Sequence, residues 1–159
     1  MSEELKYKLG EKHPVQNIYR IIALRSFGTV TKGDIGGWVE SEKNLSQQGT
    51  AWVSGNAQVF GNARVYGNAR VYGTALVYGN PRVYGDAQVK ETKDYLLIGP
   101  LGDSRFIILT KSDKMVAAGC FRGTLEEFKK SVELKYPKGT DYNLFFSVIE
   151  LYFSTNNNV

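Results

Sequence analysis

Residues 53–89 read VSGNAQ, VFGNAR, VYGNAR, VYGTAL, VYGNPR, VYGDAQ and a closing valine. Valine recurs every six positions, at Val53, Val59, Val65, Val71, Val77, Val83 and Val89. A small residue follows four places on, at Ala57, Ala63, Ala69, Ala75, Pro81 and Ala87. A period of six excludes an amphipathic helix, whose period is about 3.6, and a coiled coil. Each repeat supplies a short β element followed by Gly with Asn, Asp or Thr, and Gly-Asn suits a sharp corner because both residues tolerate positive φ. Three such elements make one circuit, so each face returns after about 18 residues, with stacked strands about 4.8 Å apart. Valine then points inward on a flat face and alanine inward near a corner. Pro81 takes the alanine's place, which a corner tolerates better than a ladder position.

Working outward, QQGTAW at 47–52 is an imperfect repeat, so a little over two circuits fit between Gln47 and Val89. So short a stack has two edges, each a template for unwanted strand pairing. The flanking segments are expected to cover them. Residues 18–24 read as a strand, and Trp38, Val39 and Leu45 as an apolar plug against the first circuit.

Residues 94–123 change in character. Tyr95–Ile98, Arg105–Thr110 and Met115–Phe121 read as strands joined by GPLGDS and KSDK turns. Thr124 opens a helix with Glu127 completing a capping box, and Leu125, Phe128 and Val132 on one face. Pro137 and Gly139 end it. A second helix over 142–153 carries Phe145, Val148, Ile149 and Tyr152 on one side, with Phe146 and Phe153 on another. It is too apolar for a free surface helix, so it is either sandwiched or at a subunit interface. The expected organisation is a strand and cap over 1–46, repeats over 47–90, a β-β-β-α-α module over 91–155 and a disordered tail over 156–159.

The VYGNAR units resemble the hexapeptide repeat of left-handed parallel β-helix proteins. The resemblance implies a mainly β fold, left-handed coiling and a homotrimer; right-handed prisms of similar circuit length stay open as the alternative. GGWVE, NLSQQG and the GNA repeats together resemble a group of phage and prophage proteins, some described as polymer-forming or as acyltransferases by repeat alone. GPLGDSR…GCFRGTLEEF resembles the C-terminal α+β module of that group, with Asp103 inserted ahead of Ser104 and Arg105.

The 159 residues carry a net charge of +4, and residues 45–90 hold four Lys/Arg against one acid. That is too sparse for the usual basic stripe of a nucleic-acid binder and suits a modest attraction for anions. The N-terminus has no apolar signal core and no apolar run is long enough to span a bilayer, so a cytoplasmic location is expected, the host cytosol for a phage protein, without membrane contact. The lone Cys120 excludes an intrachain disulfide or a cysteine metal cluster and reads as buried strand-end packing; no metal and no cofactor are expected.

Acyl transfer on such a prism needs a histidine base, and the single histidine, His13, lies outside the repeats and reads as a surface residue of a mobile N-terminus. GPLGDSR reads as a hairpin turn, lacking a P-loop's Gly-Lys-Ser/Thr ending.

The outward row is more informative. Phe60, Tyr66, Tyr72, Tyr78 and Tyr84 follow the inward valines, and a three-repeat step stacks Phe60 with Tyr78 and Tyr66 with Tyr84. The same step stacks Arg64 with Arg82 and Arg70 with Gln88. This row is a plain ladder, a subunit interface or an anion site with Tyr stacking and Arg pairing. Arg64, Arg82, Tyr66, Tyr84 and Arg70, with Arg105 and Arg122, are the candidate ligand residues; Phe60, Tyr72, Tyr78, Phe146 and Phe153 are the candidate interface. The function expected is a non-enzymatic oligomeric binding protein of phage type. It would act on host defence by holding a nucleotide-like anion or blocking a defence protein. A structural, polymer-forming protein is the alternative, and an acyltransferase a disfavoured third.

Overall fold

The computed structural model describes residues 4–101, 105–135 and 142–155, without the side chains of Leu101, Arg105, Tyr142 and Asn143. The chain is mainly β with two helices and divides into two compact units, Met1–Asp94 and Tyr95–Val159. No helix among the described residues is long and apolar enough to cross a membrane.

The first unit opens with three longer strands, β1 (Tyr7–Lys12), β2 (Tyr19–Ala23) and β3 (Ile35–Val39). Seven two-residue strands follow: β4 (Trp52–Val53), β5 (Gln58–Val59), β6 (Arg64–Val65), β7 (Arg70–Val71), β8 (Leu76–Val77), β9 (Arg82–Val83) and β10 (Gln88–Val89). The chain visits three small sheets in turn. β5 pairs with β8, β6 with β9, and β4 with β7 and β7 with β10, all parallel and with each partner 18 positions on, as Val59 to Val77 or Val65 to Val83. Every valine of the row from Val53 to Val89, and each of its alanines, is buried. The corner glycines Gly55, Gly61, Gly67, Gly73, Gly79 and Gly85 all have φ between 63° and 83°, where a Cβ would be strained. Pro81 costs little because the N–H it lacks serves only a long turn bond elsewhere: Ala63 N to Phe60 O and Ala69 N to Tyr66 O are both 3.4 Å. Its carbonyl still accepts from Arg64 N at 2.9 Å.

The stack begins earlier than the repeats suggest. Trp38 and Val39 pair in parallel with Gln58 and Val59, and Leu45 bridges Val65. Val39, Leu45 and Val53 therefore form a level of their own, rather than a plug laid on one, and are 0–1% exposed. Gly36 and Gly37 let the chain pass this close: a methyl at Gly37 would sit 2.7 Å from Ala57 O. Leu45 to Val53 takes eight residues where the later repeats take six, and the two extra residues widen the Ser46–Ala51 corner.

β1, absent from the sequence reading, closes the lower edge of this level. It pairs antiparallel with β2, and β2 with β3. Ahead of and within β1, Lys6 and Tyr7 are wholly buried. Tyr7 OH donates to Leu45 O at 2.7 Å, and Lys6 Nζ donates to Ala51 O at 2.8 Å and to Gln48 O at 3.3 Å. The Gln47 side chain accepts from Lys6 N and Tyr7 N and donates to Tyr7 O, standing in for a strand. Buried Asn44 donates to Gly61 O and Ala63 O. At the upper edge Leu76 N donates to Thr92 Oγ1, and Lys90 N and Glu91 N donate to Asp94 Oδ2.

The second unit is an antiparallel sheet of β11 (Tyr95–Leu101), β12 (Arg105–Thr110), β13 (Met115–Ala118) and β14 (Phe121–Gly123), with α1 (Leu125–Lys135) and α2 (Tyr142–Ser154). The single strand expected over 115–121 is two strands, turning at Gly119 with φ 61°. Cys120 sits exposed in that turn, not buried. The capping box is present: Thr124 N donates to Glu127 Oε2 and Glu127 N to Thr124 Oγ1. Ile107, Leu109, Val116, Phe128, Val132 and Ile149 form the core, with Phe145, Phe146, Tyr152 and Phe153 packed against it. Phe146 and Phe153 thus face inward, and α2's outer stripe is Leu144, Val148 and Leu151, 75%, 45% and 65% exposed. The expected tail at 156–159 and helix stop at 137–139 lie outside the described residues.

Candidate functional site

A two-residue strand in this stack points its second residue inward and leaves its neighbours outward. Arg64 and Tyr66 therefore leave the same side of one chain segment, around buried Val65, as Arg82 and Tyr84 do around Val83. The register sets Arg64 beside Arg82. Tyr66 and Tyr84 stack with centroids 4.9 Å apart and planes at 3°. The outcome is a column of two arginines beside a column of two tyrosines on one sheet. Both arginines are exposed and both tyrosines half-buried, and neither arginine has an ion pair among the described residues. Like charges directly opposite one another on paired strands are unfavourable. The column holds charge that an oxyanion would neutralise through paired N–H donors.

The remaining candidates separate. Arg70 lies in the sheet of β4, β7 and β10, opposite Gln88 as expected, and its Nη1 donates to Thr29 Oγ1 at 2.8 Å. It ties the 27–30 loop to the stack and is not part of the Arg64–Arg82 column. Arg122 belongs to the second unit, where it pairs with Asp113 at 2.5 Å, and Asp113 also accepts from Thr110 Oγ1. Its guanidinium is engaged in fixing a turn. The Arg105 side chain lies outside the described residues. Phe60 and Tyr78 stack at 5.3 Å and 6°, on the sheet of β3, β5 and β8, with Tyr78 50% exposed. Tyr72 has Lys90 and Ser54 as row neighbours through the Val71–Val89 and Val53–Val71 pairs, so no aromatic partner stacks on it there.

His13 is held in a turn, not loose. Its Nδ1 accepts from Val15 N and Gln16 N, and its ring meets Trp38 edge-on at 4.9 Å. The Arg20 guanidinium also lies over the Trp38 ring, 4.2 Å from its centre, and donates to Gly36 O and Gly55 O. Among the described residues no three His, Cys, Asp or Glu converge as metal ligands would. The sequence reading missed Lys6 and Arg25; nothing in their neighbours' periodicity marks them, because Lys6 bonds to a corner 42 and 45 residues on and Arg25 shares a pocket with that corner.

A family profile described as the YdcK beta solenoid repeat matches residues 57–73 and again 63–79. No curated protein matches the chain. The profile covers the central repeats alone, and what it supports there is a β-solenoid-type repeat, in keeping with strands that return to each sheet every 18 residues.

Proposed function

We propose that this protein is a non-enzymatic, oligomeric binding protein whose repeat segment closes into a left-handed prism and presents the Arg64–Arg82 and Tyr66–Tyr84 columns to an anionic, nucleotide-like ligand. The observation that carries the reading is the register that aligns two exposed arginines next to stacked tyrosines. A guanidinium pair suits a phosphate, and ring edges beside it suit a planar group. Assembly as a homotrimer draws support from the exposed Tyr78 and the Leu144–Val148–Leu151 stripe, since contiguous exposed apolar surface marks contact sites. The phage-type role against host defence rests on the sequence resemblance, and a host protein docking on the same columns is the competing partner within it.

The test replaces Arg64 and Arg82 together by Gln. Light scattering should give about three times 17.8 kDa for the wild type and for the variant. The variant should no longer bind anionic nucleotides, and wild-type binding should weaken with salt. Loss of the oligomer instead would make the arginines interface residues. An assembled variant with undiminished binding would sink the reading.

A further inference from the structure

Beneath the first level, a cavity of about 510 Å³ opens between Glu4, Leu5, Arg25, Gln47, Gln48 and Gly49. The widened Ser46–Ala51 corner makes its wall. Behind it lies Lys6, wholly buried, with Nζ on Ala51 O and Gln48 O and 5.2 Å from the centre of the Phe27 ring. Arg25, half-buried, makes no hydrogen bond or ion pair with another described residue. Lys6 likewise has no carboxylate partner among them. Two cations, buried Lys6 and half-buried Arg25, thus lie near enough to feel one another, and among the described residues of the lining exposed Glu4 is the one acid.

Capping alone does not require this charge. Tyr7, the next residue, caps Leu45 O with a neutral hydroxyl, whereas an unpaired buried ammonium is costly to desolvate. We propose that the cavity is a binding site for a small molecule bearing a phosphate or carboxylate group, with Arg25 as the contact residue and the buried Lys6 charge as the field behind it. The volume falls in the range of small-ligand sites, and Leu5, 51% exposed, offers an apolar wall. Burial, and after it the charge of Arg25, pushes the pKa of Lys6 down to about 8. An anion in the cavity restores its proton affinity. Among the described residues, Arg25 is the charge that acts on Lys6 and Glu42 the charge that acts on neighbouring Tyr7, while Glu4 lines the cavity with Arg25. The site is separate from the Arg64–Arg82 column, which lies on β6 and β9.

The test uses the full chain, titrated calorimetrically with inorganic phosphate and, separately, with succinate, against sodium chloride at matched ionic strength. Saturable binding of either anion is expected, with proton uptake above pH 8. Arg25→Gln should weaken it about tenfold or more, the worth of one charge-assisted contact. Glu4→Gln should tighten it, and saturable binding should persist in the Arg64→Gln, Arg82→Gln double variant, which removes any anion held by the column. Glu4 is exposed, and half-buried Arg25 makes no hydrogen bond or ion pair with another described residue, so melting of both single variants should stay near wild type. Which anion binds sets the ligand class. No saturable binding of either, or binding undiminished by Arg25→Gln, overturns the assignment; loss in the Arg64→Gln, Arg82→Gln protein alone would return the anion to the column.

Discussion

Val65 is 1% exposed between Leu45 below and Val83 above. Each neighbour is an aliphatic side chain pointing the same way, so a carboxylate at this position would find no partner. Burying an unpaired charge costs several kcal/mol, comparable to the whole stability of a small domain. Val65→Asp is therefore expected to yield insoluble or unfolded protein, read by circular dichroism; a soluble variant with wild-type melting would mean the valine row does not point inward. Residue identity was most legible at such positions, where one side chain repeats one environment. It was least legible at Lys6, Tyr7 and Asn44, whose roles come from a pair each of long-range hydrogen bonds to backbone carbonyls. No spacing encodes those.

At the scale of elements, β1 is the strand that the sequence hides. YKLGEK alternates weakly, and its residues are mostly half-exposed or exposed outside Tyr7. Its attachment can be measured through Lys6. An ordinary lysine titrates near 10.5 and the folded Lys6 near 8, so between those values the unfolded chain binds more protons than the folded one. Stability then rises with pH across that window. Tyr7 runs the other way: burial, then the charge of Glu42, raises its pKa, so its contribution is complete below the ordinary tyrosine range and fades only above it. Tm is expected to climb from pH 8 to pH 9.5, and to climb less in Lys6→Met. Equal slopes in the two proteins would place Lys6 in water rather than under the first level. The helices were legible for a complementary reason. Thr124 and Glu127 signal a start locally, whereas the inward turn of Phe146 and Phe153 depends on which side of α2 meets the sheet. An all-round apolar helix does not disclose that. The hairpin at Gly119 escaped because MVAAGCF is apolar throughout and turns on one glycine.

For the whole molecule, the parallel register from Val53 onward is uniform: Val53 to Val71 to Val89, Val59 to Val77, Val65 to Val83. The length of the first unit is accordingly quantised. Excising residues 65–82 joins Arg64 to Val83 and removes one 18-residue period, so every later strand keeps its own sheet. Excising residues 65–70 also preserves the local pattern, joining Arg64 to Val71, yet it hands each later strand to the neighbouring sheet, like a spiral stair that ends facing a different wall. The 18-residue excision should give a folded chain with a sharp thermal transition, and the six-residue excision a broadened or lost one, although it discards a third as many residues. If the two melt alike, the strands pair without regard to floor. The unit therefore admits insertions and losses in whole circuits, so a longer or shorter version can arise in one step without altering any surface below the cut.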